Sequence, residues 1–287
     1  MKNYTSYDLI EWGKPFEKSQ HALPEPTLSE VLIRVTAAGL CHSDLHVQKG
    51  YMDLGEEGRL TFAERGAQLP MTFGHEIAGF VEAVGDKVKN VSIGQQVLVF
   101  PWIGCGDCLA CNENRESDCS AMRIIGLKQK GGFATHCLIE NEKFLVNIDG
   151  LDAAEVVPHA SSGITVYNAL EKIGPLRDGE WLAVMGCGGL GLNAIAIARA
   201  MGFGNIIGID IENSKLDAAR EMGASITLNS KSANAVAELQ KYAESRLMAV
   251  IDTFGGESTG QLAVRALAKS GQYLLVGQAG GDFKMPQ

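Results

Sequence analysis

The sequence predicts an α/β protein in two domains, a β-rich N-terminal part followed by a parallel, doubly wound sheet. Three observations carry this. Short apolar runs punctuated by glycine fill the first half. From Pro158 onward, strand-length apolar runs alternate with helical ones, the order of a parallel sheet with crossover helices. The chain is also 287 residues long, more than one hydrophobic core ordinarily serves. The boundary is expected near residue 157, giving domains 1–157 and 158–287.

In the first domain, Val31, Ile33 and Val35 alternate with Leu32, Arg34 and Thr36, the period of a strand with one buried face. Residues 77–84 and 96–100 read as further strands, bounded by Gly85-Asp86 and by Pro101. Gly131-Gly132 reads as a turn into a strand over 133–139. Many short strands suggest a small barrel or sandwich. In the second domain, helices are expected over 162–173, 190–201 and 215–222. Strands are expected over 181–185, 206–210, 248–252 and 273–276, with 225–228 a weaker one.

Net charge is −9 and the pI is about 5.2. That argues against a nucleic-acid or anionic-membrane surface, which would need clustered Lys and Arg. The N-terminus has no apolar signal core, and no apolar run is long enough to span a bilayer, so a cytoplasmic protein is expected. Of the seven cysteines, Cys105, Cys108, Cys111 and Cys119 fall in one short run with the spacing C-x2-C-x2-C-x7-C. Without a secretion signal, this reads as metal binding in a reducing cytosol. Four thiolates at short spacing suit one tetrahedral zinc, and an all-cysteine shell is closed, hence structural.

Chemistry must lie elsewhere. Met185 leads into Gly186-Cys187-Gly188-Gly189-Leu190-Gly191, a G-x-G-x-x-G run between an expected strand and helix. The first glycine permits the tight turn, the second a close approach of backbone to a pyrophosphate, and the third the packing of helix on strand. The helix N-terminus offers free N–H groups to phosphates. Asp210 ends the next strand, where an acid can bind the adenosine ribose hydroxyls and repel a 2′-phosphate, favouring NAD over NADP.

Two further segments are Cys41-His42-Ser43-Asp44-Leu45-His46 and Gly74-His75-Glu76. One thiolate, one imidazole and one carboxylate make an open zinc site, with a position left for substrate. Singly, a cysteine is more often a small buried apolar residue and a histidine a hydrogen-bonded structural one.

Together these residues resemble the zinc-dependent alcohol dehydrogenases of the medium-chain dehydrogenase/reductase superfamily. The four-cysteine lobe, the C-x-S-D-x-H and G-H-E segments and the glycine loop with its acid carry the likeness. The run Ser162-Gly163-Ile164-Thr165-Val166-Tyr167-Asn168-Ala169-Leu170 is similar to the bacterial, archaeal and yeast-type NAD enzymes. The resemblance implies a GroES-like catalytic domain followed by a Rossmann domain. It implies that Cys41 and His75 bind a catalytic zinc, with Glu76 a carboxylate able to approach it. Asp44 would hydrogen-bond His75. Ser43 would take the alcohol proton and pass it, through the cofactor ribose, to His46. His42 would contact the pyrophosphate, Thr165 the nicotinamide side, and Lys215 with Asp210 the adenosine ribose. Gly186, Gly188, Gly189, Leu190 and Gly191 would cradle the phosphates. Cofactors would be NAD and zinc, the substrate a small alcohol or carbonyl compound, and the complete family members homo-oligomers.

The sequence departs from this pattern in two places. Ser161 stands where similar enzymes usually carry a second cysteine ligand, and a neutral hydroxyl is a poor zinc ligand beside a thiolate. Glu76 could complete the shell with Cys41 and His75; His159 could supply a nitrogen or be a packing residue; or Ser43 and His46 could transfer the proton without catalytic zinc. Second, the chain stops soon after Gly277, so five strands are expected instead of six. The chain therefore reads as C-terminally truncated, without the sixth strand or the segment that returns to the catalytic domain. Residues 49–70 read as a polar insert, either a wall of the substrate cleft or a solvated loop. Trp102 could line the pocket or simply pack. Cys137 reads as buried and inert, Cys187 as a small residue tolerated beside the phosphates. Three functions stay open: a zinc-dependent NAD alcohol dehydrogenase, a hydride-transferring dehydrogenase with structural zinc only, and an inactive nucleotide-binding remnant.

Overall fold

The structure, a computed structural model, describes residues 2–280 and residue 282. Two compact units are found, one of residues 1–52 and 60–161 and one of residues 53–59 and 162–287. The division follows Ser161, a few residues beyond the position expected from sequence.

The first unit is built on a five-stranded antiparallel sheet in the order His136–Ile139, Val31–Gly39, Glu76–Val84, Gln96–Val99, Leu145–Asn147. A three-stranded sheet of Glu17–Ala22, Asn3–Leu9 and Met71–Thr72 belongs to the same unit. Val31, Ile33, Ile77, Val81, Val97, Val99 and Ile139 share one core. Each such side chain, fully buried, contributes about 1.5–3 kcal/mol. An exposed ion pair such as Arg115–Asp118 contributes about 0–1 kcal/mol, so apolar burial dominates here. The one-face expectation fails at Leu32, which is buried like its neighbours; the pairing register with Glu76–Val84 shifts at Leu32/Ile33. The segment 49–70 is not merely a solvated loop. Phe62 and Ala67 are buried with Leu9, Val47 and Phe73 in a small separate cluster.

The second unit holds a parallel five-stranded sheet in the order Ile226–Asn229, Ile206–Asp210, Trp181–Met185, Leu247–Asp252, Gln272–Leu275. Read in chain order this is 3-2-1-4-5, and the weakly expected strand is the first edge. Side chains alternate between two covered faces. Leu182 and Val184 pack with Val166, Leu170 and Ile195, whereas Ala183 and Met185 pack with Ile207, Leu239 and Val250. No helix among the described residues is long and apolar enough to cross a membrane.

Candidate functional site

Cys41 caps a helix that sequence reading missed, His42–Lys49. The signal was present: Cys41-x-x-Asp44 has the spacing of a capping box. Asp44 Oδ2 accepts a hydrogen bond from the Cys41 backbone N–H at 2.9 Å. The helix stops at Gly50, whose φ of 89° is open to glycine. His42 and His46 lie one turn apart, with ring centroids 4.8 Å from each other. Ser43 and His42 are exposed, His46 is half-buried and Asp44 is buried.

Asp44 also reaches into the G-H-E segment, its Oδ1 lying 3.4 Å from His75 Nδ1. One carboxylate thus ties the Cys41 backbone to the His75 ring. Glu76 begins the strand Glu76–Val84 directly opposite Gly39 in the pairing register. A Cβ at residue 39 would lie 1.9 Å from Glu76 Oε2, so glycine leaves the space that the carboxylate fills. Cys41 Sγ, a ring nitrogen of His75 and a Glu76 carboxylate oxygen all lie within 4.8 Å of one another. Ser161, 7% exposed, comes to the same place: its Oγ is 3.8 Å from Cys41 Sγ and 3.2 Å from His75 Nε2. His159 is exposed, so it is not a packing residue, and it stands outside the groups able to hold a metal among the described residues.

The electrostatics of the cluster reflect crowding. Burial disfavours a charged His75, but hydrogen bonds to Asp44 and Cys41 outweigh it and raise its pKa to about 10 in the metal-free protein. Burial likewise raises the Cys41 thiol, yet hydrogen bonds from His75 and the Ser43 amide bring it below the ordinary value. Burial pushes Glu76 up to about 7, opposed by His75 and helped by Asp44. A thiolate, an imidazole and a carboxylate converging in this way fit a divalent zinc ion.

The four-cysteine lobe fits zinc more tightly. Cys105, Cys108, Cys111 and Cys119 place their sulfurs within 4.8 Å of one another. Cys108 Sγ and Cys111 Sγ are 3.5 Å apart, and Cys105 Sγ and Cys111 Sγ are 3.9 Å apart. A tetrahedron with zinc–sulfur bonds of about 2.3 Å has edges of about 3.8 Å. The Asp107 and Cys108 amides pull the Cys105 thiol down to about 6. The Gly106 amide pulls on Cys111 too, but burial and the other three sulfurs push it up to about 12. Four thiolates so close need a cation.

In the second unit, Gly186 (φ +85°) turns the chain out of Trp181–Met185, and Gly188 starts the helix Gly189–Ala200 without a side-chain cap. A Cβ at Gly191 would stand 1.7 Å from Gly186 O, the helix-on-strand contact expected of the third glycine. Gly188 and Gly189 are exposed and face open space, while Leu190 is half-buried. Asp210 does more than expected. Its carboxylate accepts from the amides of Cys187 (2.7 Å), Ile211 (2.7 Å) and Glu212 (3.0 Å), latching the glycine loop to the next strand. A carboxylate has about four acceptor sites, so one remains for a ligand. A pocket of about 840 Å³ is lined by Gly186, Asp210, Lys215, Ser230, Phe254 and Thr259, among others. Lys215 pairs with Glu212 at 3.4 Å, and Thr165 is half-buried on the helix Ser162–Ile173. Cys137 and Cys187 are buried, and burial pushes both thiols up to about 12. Trp102 packs edge-on against Phe100, with ring centroids 5.7 Å apart.

Known proteins match both halves. Residues 27–150 match the family described as alcohol dehydrogenase GroES-like domain, and residues 189–287 match zinc-binding dehydrogenase. An NAD-dependent alcohol dehydrogenase of Sulfurisphaera tokodaii is 39% identical over 279 residues, 96% of this chain and 79% of its own length. The crystal structure of a D-arabinose dehydrogenase from Sulfolobus solfataricus aligns with a TM-score of 0.86 at 29% identity, covering 100% of this chain and 84% of that one. That of an alcohol dehydrogenase from Aeropyrum pernix aligns with a TM-score of 0.86 at 27% identity, covering 98% and 80%. With its GroES-like and Rossmann-type folds, its two donor clusters and these relatives, the chain belongs to the zinc-type alcohol dehydrogenase family of the medium-chain dehydrogenases/reductases.

Proposed function

We propose that this chain is an NAD-dependent alcohol dehydrogenase that interconverts a small alcohol and its aldehyde or ketone. The observation that carries this is the meeting of Cys41, His75 and Glu76 in a chain that also has the latched glycine loop. When bound, zinc supplies the Lewis acidity that lowers an alcohol's pKa, and NAD supplies the hydride acceptor.

The protein's own residues do the rest. Cys41, His75 and Glu76 would hold the catalytic zinc, and Cys105, Cys108, Cys111 and Cys119 the structural one. Asp44 lies 3.4 Å from His75 Nδ1 and orients the ring, so Nε2 would turn its lone pair to the metal once its proton is displaced. Ser43 stands exposed beside Cys41 and takes the alcohol proton. His46, three residues on, neighbours it on the helix surface. Burial, together with the nearby His42 and Lys49, lowers the His46 pKa, so His46 is neutral and ready to accept a proton at neutral pH. In the second unit the Gly186–Gly191 loop and the start of the helix Gly189–Ala200 would bind the pyrophosphate, with Asp210 and Lys215 at the adenosine ribose and Thr165 toward the nicotinamide. The clustered thiols suit a reducing, cytosolic setting.

One observation favours a second reading, a dehydrogenase with structural zinc only: Ser161 Oγ hydrogen-bonds the metal-binding nitrogen of His75. Metal analysis with turnover assays separates the two. Two zinc ions per chain, and NAD reduction by primary, secondary or cyclic alcohols that Cys41→Ser abolishes, are expected. One zinc, with turnover surviving Cys41→Ser, would establish the second reading. NAD binding with no turnover on any alcohol would overturn both.

A further inference from the structure

Ser161 is buried and fixed at the end of a short turn, its backbone N–H donating to Pro158 O at 3.2 Å. Its hydroxyl oxygen lies 3.2 Å from His75 Nε2 and 3.8 Å from Cys41 Sγ. Bonds of about 2.0–2.3 Å around a tetrahedral ion give ligand–ligand edges of about 3.3–3.8 Å. Ser161 Oγ is therefore spaced from both donors as a co-ligand would be. His75 Nδ1 faces Asp44, so Nε2 is the ring nitrogen that meets the Ser161 hydroxyl. The hydroxyl holds the vertex that a metal would share.

We propose that Ser161 Oγ is the fourth protein donor of this centre and makes it an oxygen-rich, one-thiolate site that accepts harder divalent ions. This rests on the reading of Cys41, His75 and Glu76 as metal ligands. Thiolates select zinc, whereas oxygen donors such as carboxylates suit manganese, so a hydroxyl in place of a second thiolate, a poor donor to zinc, narrows zinc's advantage over harder ions. The four-thiolate lobe of the same chain is the internal contrast, since it stays selective for zinc. The two centres thus differ in metal choice, and Ser161 is the residue that separates them.

The test uses the full chain with zinc retained in the lobe and the second centre emptied by mild chelation. Manganese binding is followed by the loss of the free-ion electron paramagnetic signal, and cobalt binding by thiolate-to-cobalt absorption. The wild type is expected to take up a single manganese ion per chain, displaced by zinc, and to show a one-thiolate cobalt band. Ser161→Cys is expected to lower manganese affinity relative to zinc by about tenfold or more and to roughly double the cobalt band. Ser161→Ala, the smaller change, is expected to weaken manganese uptake and leave the band unchanged. Manganese and cobalt binding unaltered in both variants, but lost in Cys41→Ser, would remove Ser161 from the centre and leave the other ligands standing. Binding that also survives Cys41→Ser would overturn the ligand reading itself.

Discussion

Glu76 owes its position to Gly39. A Cβ on residue 39 would lie 1.9 Å from Glu76 Oε2 and 3.0 Å from Glu76 Cβ, with the two residues paired across neighbouring strands. Gly39→Ala must therefore push the carboxylate away from Cys41 and His75. The expected result is a loss of about tenfold in zinc affinity at this centre, ~1.4 kcal/mol, with the four-cysteine lobe still loaded. Chelator competition read with metal analysis checks this.

Zinc binding and metal-free stability should depend on pH with opposite signs. The His75 pKa is raised from 6.5 to about 10 in the metal-free protein. Its stabilisation is fully present below 6.5 and is lost as pH rises through about 10. Glu76, raised from 4.5 to about 7, acts in the same direction at lower pH. Zinc needs both groups deprotonated, so its affinity rises with pH, by about tenfold per unit for each proton displaced. Melting temperatures of chelated protein should fall between pH 6.5 and 10 while the zinc dissociation constant falls as well. A zinc affinity independent of pH across this range would contradict the assignment of His75 as a ligand.

Thiol reactivity should sort the cysteines. Cys137 and Cys187 are buried, with pKa values pushed up to about 12, and should resist alkylation in the native protein. Cys41 is only partly buried and its thiol is lowered, so it should react when metal-free and be protected by zinc. Pulse alkylation followed by peptide mass spectrometry gives the order directly.

Asp210→Asn should weaken NAD binding by more than a ribose contact alone. The carboxylate also accepts from the Cys187 amide at 2.7 Å, and an asparagine either loses a charge-assisted bond or turns a donor toward a donor. A charge-assisted hydrogen bond contributes about 1.5–3 kcal/mol, so a loss of about tenfold or more in NAD affinity is expected. Discrimination against NADP should fall in parallel. Calorimetric titration with both dinucleotides measures this.

Much of the fold was legible in the sequence. The helix Ser162–Ile173 and the strands Trp181–Met185 and Ile206–Asp210 have the expected ends, because long apolar runs with sharp glycine or charged borders leave little choice of register. The helix His42–Lys49 was not legible by periodicity. It is short and polar, carries buried Asp44 and Val47, and is held by its cap and by the Asp44–His75 contact. The burial of Phe62 and Ala67 within 49–70 was also hidden, since isolated apolar residues in a polar stretch have no period to read.

By itself the sequence determined the donor types, the four-cysteine lobe and the glycine loop with Asp210, because each is a local pattern whose members lie close along the chain. Only the tertiary structure decided what stands around Cys41. Ser161 is 120 positions away, Glu76 opens the strand Glu76–Val84 with His75 just before it, and His159, two residues from Ser161, is left facing out. Sheet register sets this: it puts Gly39 opposite Glu76, and the turn after Val157 aims Ser161 inward. Distances of a few ångströms between residues far apart in the chain follow from packing, and they are what turn a cysteine, a histidine and a glutamate into a candidate metal centre.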